Sequence, residues 1–236
     1  MATLRRSAFA LFKRLYRKTV QRSRQAAKQS KRVYEINDVF TKILEEGLAQ
    51  NQIPGKTEKA RKWYRERAMG ELTVTEDDAF RSLRRLKGTP LFGKLYMYKY
   101  WPKHIDKLPY HDRFPAVFPF ERADGGFLGI NLHYLPPDMR AGLMDMLYTT
   151  AASEIDEKSK INISYELLKS FSTFDIAKPC IKRYLFSQVK SRFVEIRATE
   201  WDIALFLPLE RFAKGRSAPG QMAMQEAHQD SIGHKK

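Results

Sequence analysis

The chain has 236 residues, of which 43 are Lys or Arg and 27 are Asp or Glu, so its formal net charge is +16. A charge this positive favours a polyanionic partner, most commonly nucleic acid, over an anionic membrane surface or an acidic protein. Hydrophobic residues (43%) suffice for a buried core, no apolar run approaches the roughly 20 residues that span a bilayer, and one cysteine excludes an internal disulfide.

Residues 1–36 are predicted to form a basic helical arm. Its apolar side chains recur at helical spacing at Phe9, Phe12, Tyr16 and Val20. No acidic residue precedes Glu35, so the arm suits DNA phosphates, an anionic membrane or a partner protein, and it also resembles a mitochondrial targeting segment. We favour the phosphate interpretation, in which the contacts are made by Arg5, Arg6, Arg14 and Arg17.

Residues 37–88 are predicted to be a helical segment that belongs to the same domain as the sheet described next. One helix begins after Asn37 and ends before the Pro54-Gly55 turn, and a second is capped by Thr57. A third begins at a capping box of Thr75 and Asp78 and ends at Gly88.

The stretch over residues 91–135 is the richest in aromatic residues, prolines and glycines, and it predicts a small antiparallel sheet of about three to four strands. Apolar and polar residues alternate over 92–100 and 127–134, and a third apolar run covers 116–120. Between the last two lies Asp124-Gly125-Gly126, which permits a tight hairpin. Several helices must cover this sheet, so the expected fold class is α+β.

The C-terminal half is predicted to add helices to this sheet, so that residues 89–214 hold the central sheet and the C-terminal helices. Helices are expected from Pro136-Pro137, from Ser164, from Pro179 and from the capping box at Thr199, with a strand over 193–197. The helix from Pro179 would leave four basic residues for solvent or phosphate: Lys182, Arg183, Lys190 and Arg192. Residues 215–236 lack periodicity and are predicted to form a disordered tail.

The sequence contains no recognisable enzyme motif. Phosphate-loop, dinucleotide-binding and paired zinc-ligand spacings are missing, and Cys180 is explained better by packing than by reactivity. A magnesium-dependent nuclease would need carboxylates such as Asp112, Glu121, Asp124 and Glu195, with His111 or His133 as a base. Turn, loop and strand-end positions explain these residues equally well. We therefore predict no catalytic residue, no metal ligand and no cofactor.

The central residues resemble the DNA end-protector (head-completion) proteins of T-even-like tailed bacteriophages. The resemblance rests on Leu108-Pro109-Tyr110, Asp112, Phe114-Pro115, a hairpin reading GGFLGINLHYLP, and the run KPCIKRYLFSQVKSRF followed by EWDIALFLP. It covers roughly residues 59–212, so the basic arm is expected to be peculiar to this protein. One departure is Trp101, which stands where a small or acidic residue is expected.

The resemblance implies a virion protein, present also in the host cytoplasm, that binds the ends of packaged linear duplex DNA, protects them from host exonuclease and assists head completion. Head or neck proteins would be its other partners, and no membrane is involved. Besides the arm, the expected phosphate contacts are Lys99, Lys103, Arg113, Lys178, Lys182, Arg183, Lys190 and Arg192. Tyr98, Tyr100 and Trp101 are candidates for stacking on a terminal base pair. The alternative is a structural head–tail connector without end-specific binding, and a nuclease ranks third.

Overall fold

The computed structural model describes residues 36–71, 86–151, 156–214 and 221–233. The basic arm and most of the third predicted helix lie outside these ranges. The described α-helices are α1 (Ile36–Ala49), α2 (Glu58–Met69), α3 (Pro137–Ala151), α4 (Glu157–Phe171), α5 (Trp201–Ala204) and α6 (Gln221–Gly233). The described strands are β1 (Leu86–Lys87), β2 (Leu95–Met97), β3 (His111–Asp112), β4 (Ala116–Ala123), β5 (Gly126–Asn131), β6 (Ile181–Leu185), β7 (Phe193–Ile196) and β8 (Phe212–Ala213). The α+β prediction is confirmed.

The main sheet has six antiparallel strands in the order β1-β7-β2-β4-β5-β6, and β3 pairs separately with β8. It is larger than predicted because β1 and β6 join it by pairing with β7 and β5, whereas the strand predicted over 193–197 is present as β7 beside β2. The predicted hairpin is confirmed between β4 and β5, with Gly125 at a φ of 67°. Gly126 is required for a different reason, since a Cβ there would overlap the backbone oxygen of Tyr184 on the neighbouring strand.

The sheet is buried on both faces. One face contributes Leu95, Met97, Phe118 and Ile130 to the main core, which also contains side chains of α1, α2, α3 and α5. The opposite face carries an aromatic cluster, defined by Tyr96, Tyr98, Tyr100, Val117, Phe127, Tyr184 and Phe193. Alternation along the strands sends neighbouring residues to opposite faces, which is why the consecutive apolar residues of β2 are all buried.

Local signals determine the helix positions as expected in α2 and α3. The Thr57 hydroxyl caps α2 by accepting from the Ala60 N–H at 3.1 Å, and α3 begins at the proline pair. On α2, Arg65 donates from Nε to Asp202 and from Nη2 to Asp145, each at 2.8 Å. This buried arginine therefore connects α2 to α3 and α5.

Two helix predictions in the C-terminal half are wrong, and the helix end predicted at Gly88 is also wrong, because Leu86–Lys87 form β1 and pair with β7. The run after Pro179 does not begin a helix, because residues Asp175–Cys180 form a 3-10 helix and the next five residues form β6, which pairs with β5 through Phe127 and Tyr184. The helix expected to begin at Ser164 begins instead at Glu157, where the Asp156 side chain caps it.

The disordered tail predicted for 215–236 is corrected over 221–233, which form α6. This helix buries Ala223 and Ala227, which are four residues apart and so share one face. His228 Nε2 lies 2.9 Å from the His133 backbone oxygen, and the Tyr110 hydroxyl donates to Asp230. Because α6 packs through small and polar residues, hydrophobic periodicity gave no signal for it.

Candidate nucleic-acid interface

Three buried polar residues of the central motifs form a closed group, which we call the polar centre: Asp112, Asn131 and His133. Asp112 Oδ2 accepts from Asn131 Nδ2 at 3.0 Å and lies 2.8 Å from His133 Nδ1, while its Oδ1 accepts from the Phe114 N–H at 3.0 Å. Burial by itself raises the pKa of Asp112, but attraction to His133 and these hydrogen bonds outweigh it and hold that pKa below its ordinary value. The polar centre therefore organises the interior around a buried carboxylate.

The structure does not bring the four carboxylates of the nuclease alternative together. Asp112 belongs to the polar centre, Glu121 and Asp124 are exposed on the β4–β5 hairpin, and Glu195 accepts from Lys94 Nζ at 3.1 Å. Within the described ranges, no group of three His, Cys, Asp or Glu side chains is arranged to hold a metal ion.

A short two-stranded layer places basic residues on one outer face. Tyr100 and Val189 form an antiparallel bridge, the Lys190 N–H donates to the Lys99 oxygen at 2.8 Å, and the Trp101 N–H donates to the Gln188 oxygen at 3.1 Å. Tyr100 and Val189 both pack in the aromatic cluster. Because side chains alternate along extended chain, Lys99, Trp101 and Lys190 lie on the side opposite the aromatic cluster, where Lys190 is exposed and the other two are partly exposed.

Arg113 joins this outer face from a neighbouring segment. Its backbone oxygen accepts from the Tyr100 N–H at 3.0 Å, and its guanidinium lies 5.0 Å from the centre of the Trp101 ring. This is cation–π geometry, and it positions a charged group that stays partly exposed.

We call the resulting group the Trp101 surface. It consists of Lys99, Trp101, Lys103, Arg113, Lys190 and Arg192. Lys103 and Arg192 are exposed; Lys103 is two residues after Trp101, and Arg192 is two residues after Lys190. Lys103, Arg113 and Lys190 make no ion pair with any residue that the structure describes, so their charges are available to a polyanion.

The structure separates the remaining predicted basic residues from this surface. Lys178 pairs with Asp175 at 2.6 Å on the 3-10 helix. Lys182 is partly buried with Nζ 4.2 Å from the centre of the Tyr134 ring, and burial lowers its pKa. Arg183 is exposed and donates to the Asp124 oxygen at 2.6 Å. Lys182 and Arg183 point to opposite faces because they are consecutive residues of a strand. Arg5, Arg6, Arg14 and Arg17 lie outside the described residues.

Two of the three stacking candidates are unsuitable. Tyr98 is fully buried, with ring contacts to Tyr100, Tyr184 and Phe193, and Tyr100 is only 7% exposed. Their aromatic character serves packing in the aromatic cluster. Trp101 is partly exposed, although Arg113 lies over its ring.

An exposed aromatic residue that the sequence analysis missed is Phe186, whose side chain is 46% exposed. It begins the single 3-10 turn Phe186–Gln188 that follows β6. The available signal was the pair Leu185-Phe186 at the end of β6. Adjacent residues of a strand point to opposite faces, so both of these apolar side chains could be buried only if both faces were covered at this point.

The described helices include none with the length and apolar character needed to cross a membrane. A family model described as Phage T4 terminal DNA protecting protein matches residues 6–226. The match includes most of the basic arm, so the expectation that this arm is peculiar to the present protein is wrong. No curated protein and no solved structure shows significant similarity to the chain.

Proposed function

The chain belongs to the phage T4 terminal DNA protecting protein family, and from that membership we propose that it binds the ends of packaged linear duplex DNA and shields them from exonuclease. The bound protein would travel in the virion and act in the host cytoplasm after injection. It would also assist head completion by contacting head or neck proteins. The role is non-enzymatic, because occupying the end is enough to block a processive nuclease.

The observation that carries the proposal is the Trp101 surface. Five of its six members are cationic, Arg113 lies over the Trp101 ring, and the other side of the layer carries the aromatic cluster. Such a surface neutralises phosphates without reading bases, so binding is insensitive to sequence and weakens as salt rises. Arg113 occupies one region of the Trp101 ring, and base stacking on the rest of that ring stays a prediction. The arm arginines remain proposed phosphate contacts.

The second candidate function is a structural connector at the head–tail junction, whose charge serves packing against DNA. The +16 net charge favours both functions equally, since neither needs base contacts. The two differ in whether the isolated protein prefers DNA ends to DNA interiors.

An exonuclease-protection assay separates them. Linear duplex DNA is incubated with the protein and a processive exonuclease in Mg²⁺, with increasing closed circular DNA as competitor and at two salt concentrations. Protection that survives an excess of circles supports end binding. Protection that circles abolish supports the connector, and degradation of DNA by the protein alone would revive the nuclease.

A further inference from the structure

Phe186 is an exposed aromatic ring supported by a buried one. Its ring centre lies 5.6 Å from that of Phe127, and Phe127 is fully buried in the aromatic cluster. Leaving nearly half of a phenylalanine in water forfeits part of its burial energy.

The backbone on both sides of this ring is fixed. The Phe186 N–H donates to the Gly125 oxygen at 3.0 Å, and the Phe186 oxygen accepts from the Val189 N–H at 3.2 Å. The neighbouring Gly126 packs so closely on the Tyr184 backbone that a side chain at position 126 has no space. A ring held in this way loses little conformational entropy when it contacts a ligand.

Cations lie on both sides of Phe186 along the chain. Arg183 is three residues earlier and is exposed beside the hairpin turn, where it donates to the Asp124 oxygen. Lys190 of the Trp101 surface is four residues after Phe186, so the Cα atoms of Phe186 and Lys190 are at most about 14 Å apart. Along one DNA strand this distance covers about four phosphates, at roughly 3.4 Å each.

We propose that Phe186 recognises the DNA end by stacking on the exposed face of the terminal base pair, while Arg183 and Lys190 contact the phosphates nearest that end. Interior base pairs are stacked on both faces, and only the last pair offers a free face to a protein ring. Phosphate contacts are available everywhere along a duplex and cannot by themselves distinguish an end. This inference rests on the proposed function, and it names the feature of the end that the protein detects.

Equilibrium competition tests the inference with the full chain. A short blunt duplex carrying 2-aminopurine at its terminal position, where fluorescence reports stacking, is titrated with protein, and closed circular DNA is the competitor. The variants are Phe186→Ala and Phe186→Leu, since leucine still covers Phe127 but offers no ring. The matched control is Phe174→Ala, which removes a phenylalanine that is 58% exposed and lies next to Phe171. Phe174 is not part of the Trp101 surface.

We expect both Phe186 variants to lose the fluorescence change and to reduce the preference for ends roughly 5- to 150-fold, while affinity for circles and its salt dependence stay unchanged. Phe174→Ala should behave as the unsubstituted protein. Retained end preference in a folded Phe186→Leu protein would overturn the inference and leave end protection intact. An unsubstituted protein that binds ends and circles equally would overturn the proposed function as well.

Discussion

The polar centre and the Trp101 surface meet at two adjacent residues, Asp112 and Arg113, yet they place their charges in opposite ways. Asp112 is enclosed and receives three hydrogen-bonding partners, whereas Arg113, the next residue, keeps its guanidinium at the surface over Trp101. The first arrangement satisfies a charge internally and holds segments together. The second leaves positive charge for an external polyanion. The distinctive motif residues therefore make the fold, and we propose that ordinary lysines and arginines beside them contact DNA.

The largest expected effect comes from Asp112→Asn, which replaces the buried carboxylate that contacts Asn131, His133 and the Phe114 N–H. Removing an ionised acceptor from buried hydrogen-bonding partners costs about 3 kcal/mol or more, so the free energy of unfolding in denaturant should fall by at least that amount. Duplex affinity, measured at a temperature where the variant is folded, should stay the same. Lost DNA binding by a folded Asp112→Asn protein would show that the polar centre also takes part in binding, and would contradict the separation of the two roles.

The next effect is on binding, from Lys99→Glu combined with Lys190→Glu. We expect duplex affinity to fall about 10- to 100-fold, and the slope of log K against log salt to become shallower by about 1.8, since two phosphate contacts are lost. Thermal stability should not change, because Lys190 is exposed and Lys99 is partly exposed. Lys56→Glu with Lys59→Glu makes the same charge change on exposed residues around the start of α2 and should keep most of the affinity. Equal losses in both pairs would mean that net charge alone matters.

Lys182 tests the same comparison, because it is a basic residue that is partly buried and not at the surface. Lys182→Glu should lower the free energy of unfolding by about 1–2 kcal/mol, since the ammonium over the Tyr134 ring is lost and a carboxylate takes its partly buried place. Arg183→Glu, at the neighbouring exposed position, should leave stability unchanged and weaken DNA binding. Thermal melts of the two single variants test this, and equal stability would show that Lys182 is as exposed as its neighbour.

The smallest expected effect is the pH dependence that Asp112 imposes. Its folded pKa lies below the ordinary value of 3.8, so the folded state binds the proton less readily than the unfolded chain. The stabilisation is complete above that ordinary value and is lost as the pH falls through the folded pKa, at about 1.4 kcal/mol per unit of lowering. Denaturant unfolding from pH 6 to pH 3 should show a steeper loss in the unsubstituted protein than in Asp112→Asn. Parallel curves would assign the acid sensitivity to other carboxylates.

Sequence patterns predicted the parts of the fold that local chemistry determines. The Thr57 cap, the helix after Pro136 and the hairpin at Gly125 each depend on a few adjacent residues, and each is present. Strand β6 was mistaken for a helix because its pairing with β5, some fifty residues earlier, decides its conformation. Helix α6 was missed because its docking uses alanines and single polar contacts, which leave no hydrophobic pattern.

The candidate site was predictable in composition but not in geometry. Lys99 and Lys190 are 91 positions apart, and only the Tyr100–Val189 bridge places them on one face. Tyr98 and Trp101 look equivalent in the sequence, yet the first is buried in the aromatic cluster and the second lies beyond the end of β2 and is partly exposed. Exposure at a sheet margin depends on strands that pair from distant parts of the chain, which no local pattern contains.

The central claim is that the Trp101 surface, not the polar centre, meets DNA at its ends. Hydrogen–deuterium exchange of the full chain, with an excess of short linear duplex or an equal mass of closed circles, tests it most directly. The account predicts slowed exchange over 99–103 and 186–192 with linear duplex, a much weaker effect with circles, and no change in α1 or α2. Unchanged exchange at these two segments, or equal slowing with circles, would contradict it.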